Sequence, residues 1–287
     1  MRHRHLTQPS LPLREEEGRR SPILLVGAGR MGGALLRGWV AKKMGPVVAV
    51  DTAPSPALRA FAKKHKVRLV PAVAAVAGLR PRACVVALKP QVLKGEAAAL
   101  APFARSGALM LSIAAGTSIA AMRRAWGAKA RIVRAMPNTP GSIGRGISAL
   151  HAGRSATAKH RALAESLLAA LGATMWVRRE RDIDTVTAVS GSGPAYVFLL
   201  VEALAAAAEA EGLPRAQAER LARATVTGAG ALLDAEATPP AELRRNVTSP
   251  RGTTEAALKI LMAANGMPRL IRRAVAAARR RAEELGA

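Results

Sequence analysis

The sequence predicts an α/β protein in two parts: a doubly wound parallel sheet over residues 21–178 and an all-helical region over 179–287. Three observations carry that reading. Short apolar runs alternate with helix-length segments as far as Val177, which is how strands covered on both faces of a parallel sheet read. Beyond Asp182 no strand signal remains, and long helical segments follow one another. Finally, Gly27-x-Gly29-x-x-Gly32 stands where the first strand gives way to the first helix, the context in which that motif marks a Rossmann-like turn.

Taken in chain order, residues 1–20 are polar, charged and Pro-containing, and are expected to form a disordered extension. Strands are expected at Ile23–Val26, Val47–Asp51, Val67–Val70, Ala83–Leu88, Leu109–Ile113 and Arg131–Arg134, with Ser148–Leu150 and Thr174–Val177 adding to them. The helices between them are Gly32–Lys43, Ser55–Lys64, Ile119–Trp126 and Ala156–Leu171. In the second part the helices are Pro194–Glu211, Arg215–Asp234, Thr254–Ala264 and Pro268–Leu285, punctuated by Gly212-Leu-Pro214, Thr238-Pro-Pro240 and Asn265-Gly-Met-Pro268. Apolar residues almost surround Val197–Ala210, so that helix should be buried in a core or a subunit interface.

Composition narrows the class. Half of the residues are hydrophobic but only seven are aromatic, so the core must be built from Ala, Leu and Val. The formal charge of +25 raises nucleic-acid binding, yet Arg59, Arg80, Arg131, Arg178, Arg220 and Arg244 are scattered, with no accompanying recognition motif. A solvated Arg-biased surface accounts for them better, and nucleic acid is not an expected partner. The single Cys84 excludes an intramolecular disulfide and a multi-Cys metal site; its apolar surroundings mark a buried strand residue, and no metal is assigned. No apolar stretch reaches the about 20 residues that span a bilayer. The N-terminus lacks a hydrophobic signal region, and Glu15-Glu16-Glu17 argues against a transit peptide. A soluble cytoplasmic protein without a membrane partner is expected.

Two cradles carry the chemistry. In the first, the glycines of Gly27–Gly32 allow a tight turn and close approach of a pyrophosphate, and Asp51 ends the next strand 19 residues later, where a carboxylate accepts ribose hydroxyls. Gly27, Ala28, Gly29, Arg30, Met31, Gly32, Asp51 and Thr52 are thus cofactor-binding candidates. Asp51 alone favours NADH, while Thr52, Ser55 and Arg59 offer contacts for a 2′-phosphate, so NADPH or NADH stays open. Ala87-Leu-Lys-Pro90, Ala114-Ala-Gly116 and Arg134–Pro140 end later strands on the same edge, where ligands of open parallel sheets bind. In the second cradle, Asn246-Val-Thr-Ser-Pro-Arg-Gly-Thr-Thr254 puts hydroxyls and a glycine ahead of a helix. Ser or Thr there can cap the helix, and its first N–H groups can hold an anion. Between Asp182 and Gly212 there is no Lys or Arg, and His3, His5, His65, His151 and His160 lie in the tail or in expected surface segments. A substrate that arrives as a protonated C=N needs no general acid or base there, only alignment and a dry pocket.

At these residues the chain resembles the pyrroline-5-carboxylate reductase family. The likeness runs from about Pro22 to Glu284 and rests on Gly27–Gly32, Ala87–Gln91, Ser112–Gly116, Met136–Pro140, Ser190–Tyr196 and Val247–Thr254. It implies reduction of 1-pyrroline-5-carboxylate to L-proline by NADPH or NADH, in a homodimer or a decameric ring of dimers built by interlocking helical domains. It further implies that Thr254 bonds the ring nitrogen as the catalytic residue, and that Ser249, Gly252 and Thr253 hold the substrate carboxylate, with Asn138 also at the substrate. Ala87, Leu88, Lys89, Pro90, Ala114, Ala115, Gly116 and Asn246 would position the cofactor. Members usually have Gly where this chain has Arg251, and an Asn near Val73. If position 251 needs a positive φ, Arg costs roughly 1 kcal/mol of strain; otherwise its guanidinium faces solvent or attracts the anionic substrate. A reductase of another cyclic imine, such as the six-membered homologue, is an alternative because one methylene is worth only about 1–3 kcal/mol of discrimination. The alternative from another class is a non-catalytic dinucleotide-binding or nucleic-acid-associated protein.

Overall fold

The computed structural model describes residues 21–286. The expected extension over residues 1–20 lies outside them. Within the described residues, contacts divide the chain into one unit ending at Thr187, joined by residues 282–286, and a second unit, Ala188–Arg281.

The first unit is built on an eight-stranded sheet: β1 (Ile23–Val26), β2 (Val47–Val50), β3 (Arg68–Val70), β4 (Ala83–Val86), β5 (Leu109–Ser112), β6 (Arg131–Met136), β7 (Gly146–Ala152) and β8 (Gly172–Trp176). Their spatial order is β3-β2-β1-β4-β5-β6-β7-β8. Strands β1 to β6 run parallel, and the order reverses between β1 and β4, which creates a crevice at the carboxyl ends of those two strands. The expectation of a wholly parallel sheet needs one correction: β7 pairs antiparallel to β6. Residues 137–145 join them, including a short 3₁₀ turn, Thr139–Ile143, and Gly144 at φ +74°, too little chain for the dozen or more residues of a parallel crossover.

Side chains alternate between two apolar layers. Ile23, Leu25, Ala83, Val85, Leu109 and Leu111 face helices α1 (Arg30–Ala41) and α6 (Ala158–Leu168), contacting Leu35, Leu36, Leu167 and Leu168. Leu24, Val26, Cys84, Val86 and Met110 face the other layer, formed by Leu93 of α3 (Pro90–Glu96), Phe103 of α4 (Ala101–Arg105) and Met122 and Trp126 of α5 (Ile119–Trp126). Both buried Trp rings find an acceptor: Trp39 Nε1 donates to Leu167 O at 2.8 Å, and Trp126 Nε1 to Ala97 O at 2.9 Å. Cys84 is buried as expected. Helix α2 (Pro56–Lys64) starts on a Ser55 cap, its Oγ accepting from Leu58 N–H at 3.2 Å. Helices α3 and α4 go beyond the sequence expectation; both start without a side-chain cap, and the Pro in each first turn is the start signal they carry.

Helix α7 (Asp182–Val186) groups by its contacts with the first unit, Ile183 packing with Met136 and Ala149. A single π-turn, Thr187–Gly191, follows it. In the second unit, α8 (Gly193–Ala210) packs along α9 (Arg215–Ala235), the reversal made at Gly212 with φ +94°. No residue of α8 is buried within the single chain, and Phe198 and Leu199 are each about three-fifths exposed. The run Asp182–Ala210 is 29 residues of near-continuous helix, long and apolar enough by length and composition to cross a membrane. Helices α10 (Pro240–Asn246), α11 (Thr253–Leu261) and α12 (Met267–Gly286) complete the fold, the last few residues of α12 belonging with the first unit.

Candidate active site

At the sheet's switch point the chain makes a cavity of about 290 Å³, lined by Gly27, Gly29, Asp51, Thr52, Ala87, Leu88 and Lys89 among others. Each glycine has its own reason. Gly27 leaves β1 at φ +89°, and a Cβ there would lie 2.8 Å from Ala87 O. A Cβ on Gly32 would lie 2.0 Å from Gly27 O, whereas Gly29 has open space around it. The turn is therefore closed on the protein side and open on the cavity side, as the approach of a pyrophosphate requires. Helix α1 begins at Gly29 without a side-chain cap, which leaves its first N–H groups to an anion. Arg30 and Met31 open that helix, and Ala28 is buried.

Asp51 does a second job that its spacing does not reveal. Its Oδ2 accepts from Ala28 N–H at 2.9 Å and its Oδ1 from Ala53 N–H at 3.0 Å. A carboxylate has about four acceptor sites, so ribose hydroxyls can still be received. The groups offered to a 2′-phosphate are partly engaged: Ser55 caps α2, and Arg59 Nε donates to Pro54 O at 3.1 Å. Val73 lines this cavity, and Glu96, which the sequence did not single out, lines it too.

Pro90 starts α3, and together with Gly116 it lines a separate cavity of about 360 Å³ that Leu285 and Gly286 also line. Gly116 has φ +67°, and a Cβ on it would lie 2.8 Å from Leu285 O. Ala114 is buried, and its N–H faces Ser112 Oγ at 3.3 Å; Ala115 packs beside Met136. Asn138 Oδ1 accepts from Ile147 N–H at 3.0 Å, so its carbonyl braces the β6–β7 turn.

One feature of this edge escaped the sequence. Arg134, buried in β6, pairs with Glu180 at 3.2 Å and Asp184 at 2.9 Å, and Glu180 Oε1 also accepts from Ile119 N–H at 2.6 Å at the start of α5. The network ties the ends of β6 and α5 to α7. Its carboxylates stand 46 and 50 residues from Arg134, and no local pattern links them.

In the second unit, the stretch 246–254 joins α10 to α11. Asn246 ends α10. Thr248 secures the exit, its hydroxyl donating to Arg244 O at 2.6 Å. The residue that begins α11 is Gly252, with no side-chain cap, so the expectation that a Ser or Thr caps this helix is corrected. Gly252 N–H donates to Ser249 O at 3.0 Å and already has its acceptor. The donors without an intrahelical acceptor are then the N–H groups of Thr253, Thr254 and Glu255, beside the Thr254 hydroxyl. Nine helical residues align behind them, favouring an anion at this end. Arg251 stands at φ +61°, the strained alternative of the two left open.

A sheet of this order, with a glycine cradle at the switch point and a carboxylate on the next strand, defines a dinucleotide-dependent oxidoreductase. In agreement, residues 22–116 match a family described as NADP oxidoreductase coenzyme F420-dependent. Residues 180–285 match the family described as pyrroline-5-carboxylate reductase dimerisation. A pyrroline-5-carboxylate reductase of Pseudomonas aeruginosa is 42% identical over 265 residues, covering 92% of this chain and 96% of its own. Among solved structures, a pyrroline-5-carboxylate reductase from Coxiella burnetii superimposes with a TM-score of 0.85 at 35% identity, over 93% of this chain and 99% of its own. The Plasmodium falciparum pyrroline carboxylate reductase with NADP bound gives 0.80 at 25% identity, over 94% and 99%. The chain belongs to the pyrroline-5-carboxylate reductase family.

Proposed function

We infer that this chain reduces 1-pyrroline-5-carboxylate to L-proline with NADPH or NADH, by hydride transfer to a protonated cyclic imine. The observation that carries the reading is the α10–α11 stretch, where an uncapped helix start, Ser249 and the Thr254 hydroxyl suit a ligand that is both a carboxylate and a C=N. Residues 21–178 serve as the dinucleotide-binding part and 179–287 as the substrate and dimerisation part.

In this reading Ser249 and the N–H of Thr253 hold the substrate carboxylate, an anion at the positive end of α11. The Thr254 hydroxyl accepts from the ring N–H and so fixes which face of the imine carbon is presented. Gly27, Gly29 and Asp51 hold the dinucleotide at the switch point, with the Ala87–Pro90 and Ala114–Gly116 loops beside it. When bound, the reduced nicotinamide supplies the hydride. The imine carbon gains it while the C=N π pair moves onto nitrogen, which already carries its proton. The side chains therefore have no proton to move in that step, consistent with the lack of Lys or Arg between Asp182 and Gly212. The exposed apolar residues of α8 are covered by a second copy, giving a homodimer or a decameric ring of such dimers, and the enzyme works in the cytoplasm.

The test is turnover. Purified protein with 1-pyrroline-5-carboxylate should consume the reduced cofactor, followed by nicotinamide absorbance, and form proline; no consumption of either NADPH or NADH overturns the reading. Thr254→Ala should lower kcat about tenfold or more with dinucleotide affinity unchanged, since it removes a bond at the reacting centre.

A further inference from the structure

Three non-glycine residues among those described have a positive φ: Lys43, Lys66 and Arg251. The first two follow the ends of α1 and α2, where a left-handed residue commonly terminates a helix. Arg251 differs, because it precedes a helix and no such termination accounts for it. It stands third in the turn Ser249–Gly252, after Pro250 and closed by the Gly252 N–H donating to Ser249 O at 3.0 Å, a place where a positive φ is adopted, and a second contact fixes the Pro250–Arg251 peptide in that orientation. Glu255, on the first turn of α11, reaches back so that its Oε2 accepts the Arg251 N–H at 2.5 Å.

That contact sets which donors the stretch presents. With Arg251 left-handed and tethered, Gly252 N–H turns to Ser249 O, and the next N–H groups in line, those of Thr253 and Thr254, are left at the helix start. If the tether is lost, the Pro250–Arg251 peptide is free to flip, Arg251 relaxes toward a negative φ, and the chain entering α11 shifts with it. Resting on the reading of this stretch as the substrate-carboxylate cradle, we infer that Glu255 is a positioning residue for substrate binding: its carboxylate latches Arg251 in the left-handed conformation and thereby aims the Thr253 and Thr254 donors. The latch is needed because position 251 carries a side chain. A glycine there would hold the same φ unaided. Glu255 also brings negative charge near an anionic ligand, an opposing effect. Its hydrogen bond to the loop outweighs that effect, because one carboxylate oxygen is already committed to the backbone.

Steady-state kinetics on the full chain separate these effects. Glu255→Ala should raise KM for 1-pyrroline-5-carboxylate roughly tenfold, the scale of one charge-assisted hydrogen bond, with kcat and the dinucleotide KM within about twofold. Glu255→Gln keeps an acceptor and loses the charge, so its KM should return to the wild-type value or below. In the Arg251→Gly background, Glu255→Ala should change KM by no more than about twofold, because glycine needs no latch. An unchanged or lowered KM in Glu255→Ala, a Gln variant as poor as Ala, or a full rise persisting in the Arg251→Gly background would each overturn the proposal. A wild-type protein without turnover overturns the reading of the cradle instead, so the two failures are distinct.

Discussion

Arg251 carries a backbone conformation that disfavours any residue with a Cβ, and no contact of its side chain accounts for it. A left-handed non-glycine residue costs about 1–2 kcal/mol, partly offset in a comparison with glycine by the greater freedom of the unfolded glycine chain. Arg251→Gly should therefore raise the unfolding free energy by about 0.5–1 kcal/mol, read from urea melts at an unchanged m-value. Two other residues reverse what their type suggests. Cys84 is not a reactive thiol: complete burial pushes its pKa far above the usual thiol range, so little thiolate forms at neutral pH. Asp51 was legible as a ribose ligand from its distance to Gly32, but its two backbone acceptances, which brace the turn it serves, were not. Those bonds run to Ala28 and Ala53, and only the fold brings Ala28 close.

Among the elements, α8 is the one whose sequence and surroundings disagree most within a single chain. Its apolar residues encircle the helix, yet none is buried, and Val197, Phe198 and Leu199 face outward. A family model for dimerisation covers this region. Phe198→Asp places a charge in that apolar surface and should split the oligomer into smaller species, seen as a fall in mass by light scattering. Helix α6 makes a different prediction. Its first turn uses His160 as an acceptor: Thr157 N–H donates to Nδ1 at 3.2 Å, and the Thr157 hydroxyl lies 2.7 Å from the same nitrogen. Partial burial first, then the charges of Arg131 and Lys159, hold the His160 pKa below its ordinary value. The folded chain thus binds that proton more weakly than the unfolded chain. The stabilisation is complete above the ordinary value of about 6.5 and is lost as pH falls below it towards the folded pKa. Melting temperature should drop across that window, and His160→Gln, which cannot titrate, should lessen the drop.

At the scale of the molecule, the last residues of the chain return to the sheet that the first described residues begin. Leu285 and Gly286 lie against Gly116, which has no room for a side chain. Deleting residues 282–287 removes that backing from the Ala114–Gly116 loop. KM for the dinucleotide should rise several-fold, the order of one or two lost loop contacts, while KM for the imine changes less; equal rises in both would count against a local role for this end of the chain.

The sequence by itself determined the order of the strands' appearance, the glycine cradle and the stretch 246–254, because each rests on residues close together in the chain. Periodicity and turn chemistry act over a few residues, and Gly27, Gly29 and Gly32 or Ser249 and Thr254 can be read within one window. Tertiary structure decided the rest. It turned β7 antiparallel through a connection too short to cross the sheet and joined Arg134 to Glu180 and Asp184. It also put Gly252 rather than a hydroxyl at the start of α11 and held Arg251 left-handed under Glu255. These outcomes depend on which backbone groups are left needing partners once the elements pack, and no single window of sequence contains that information.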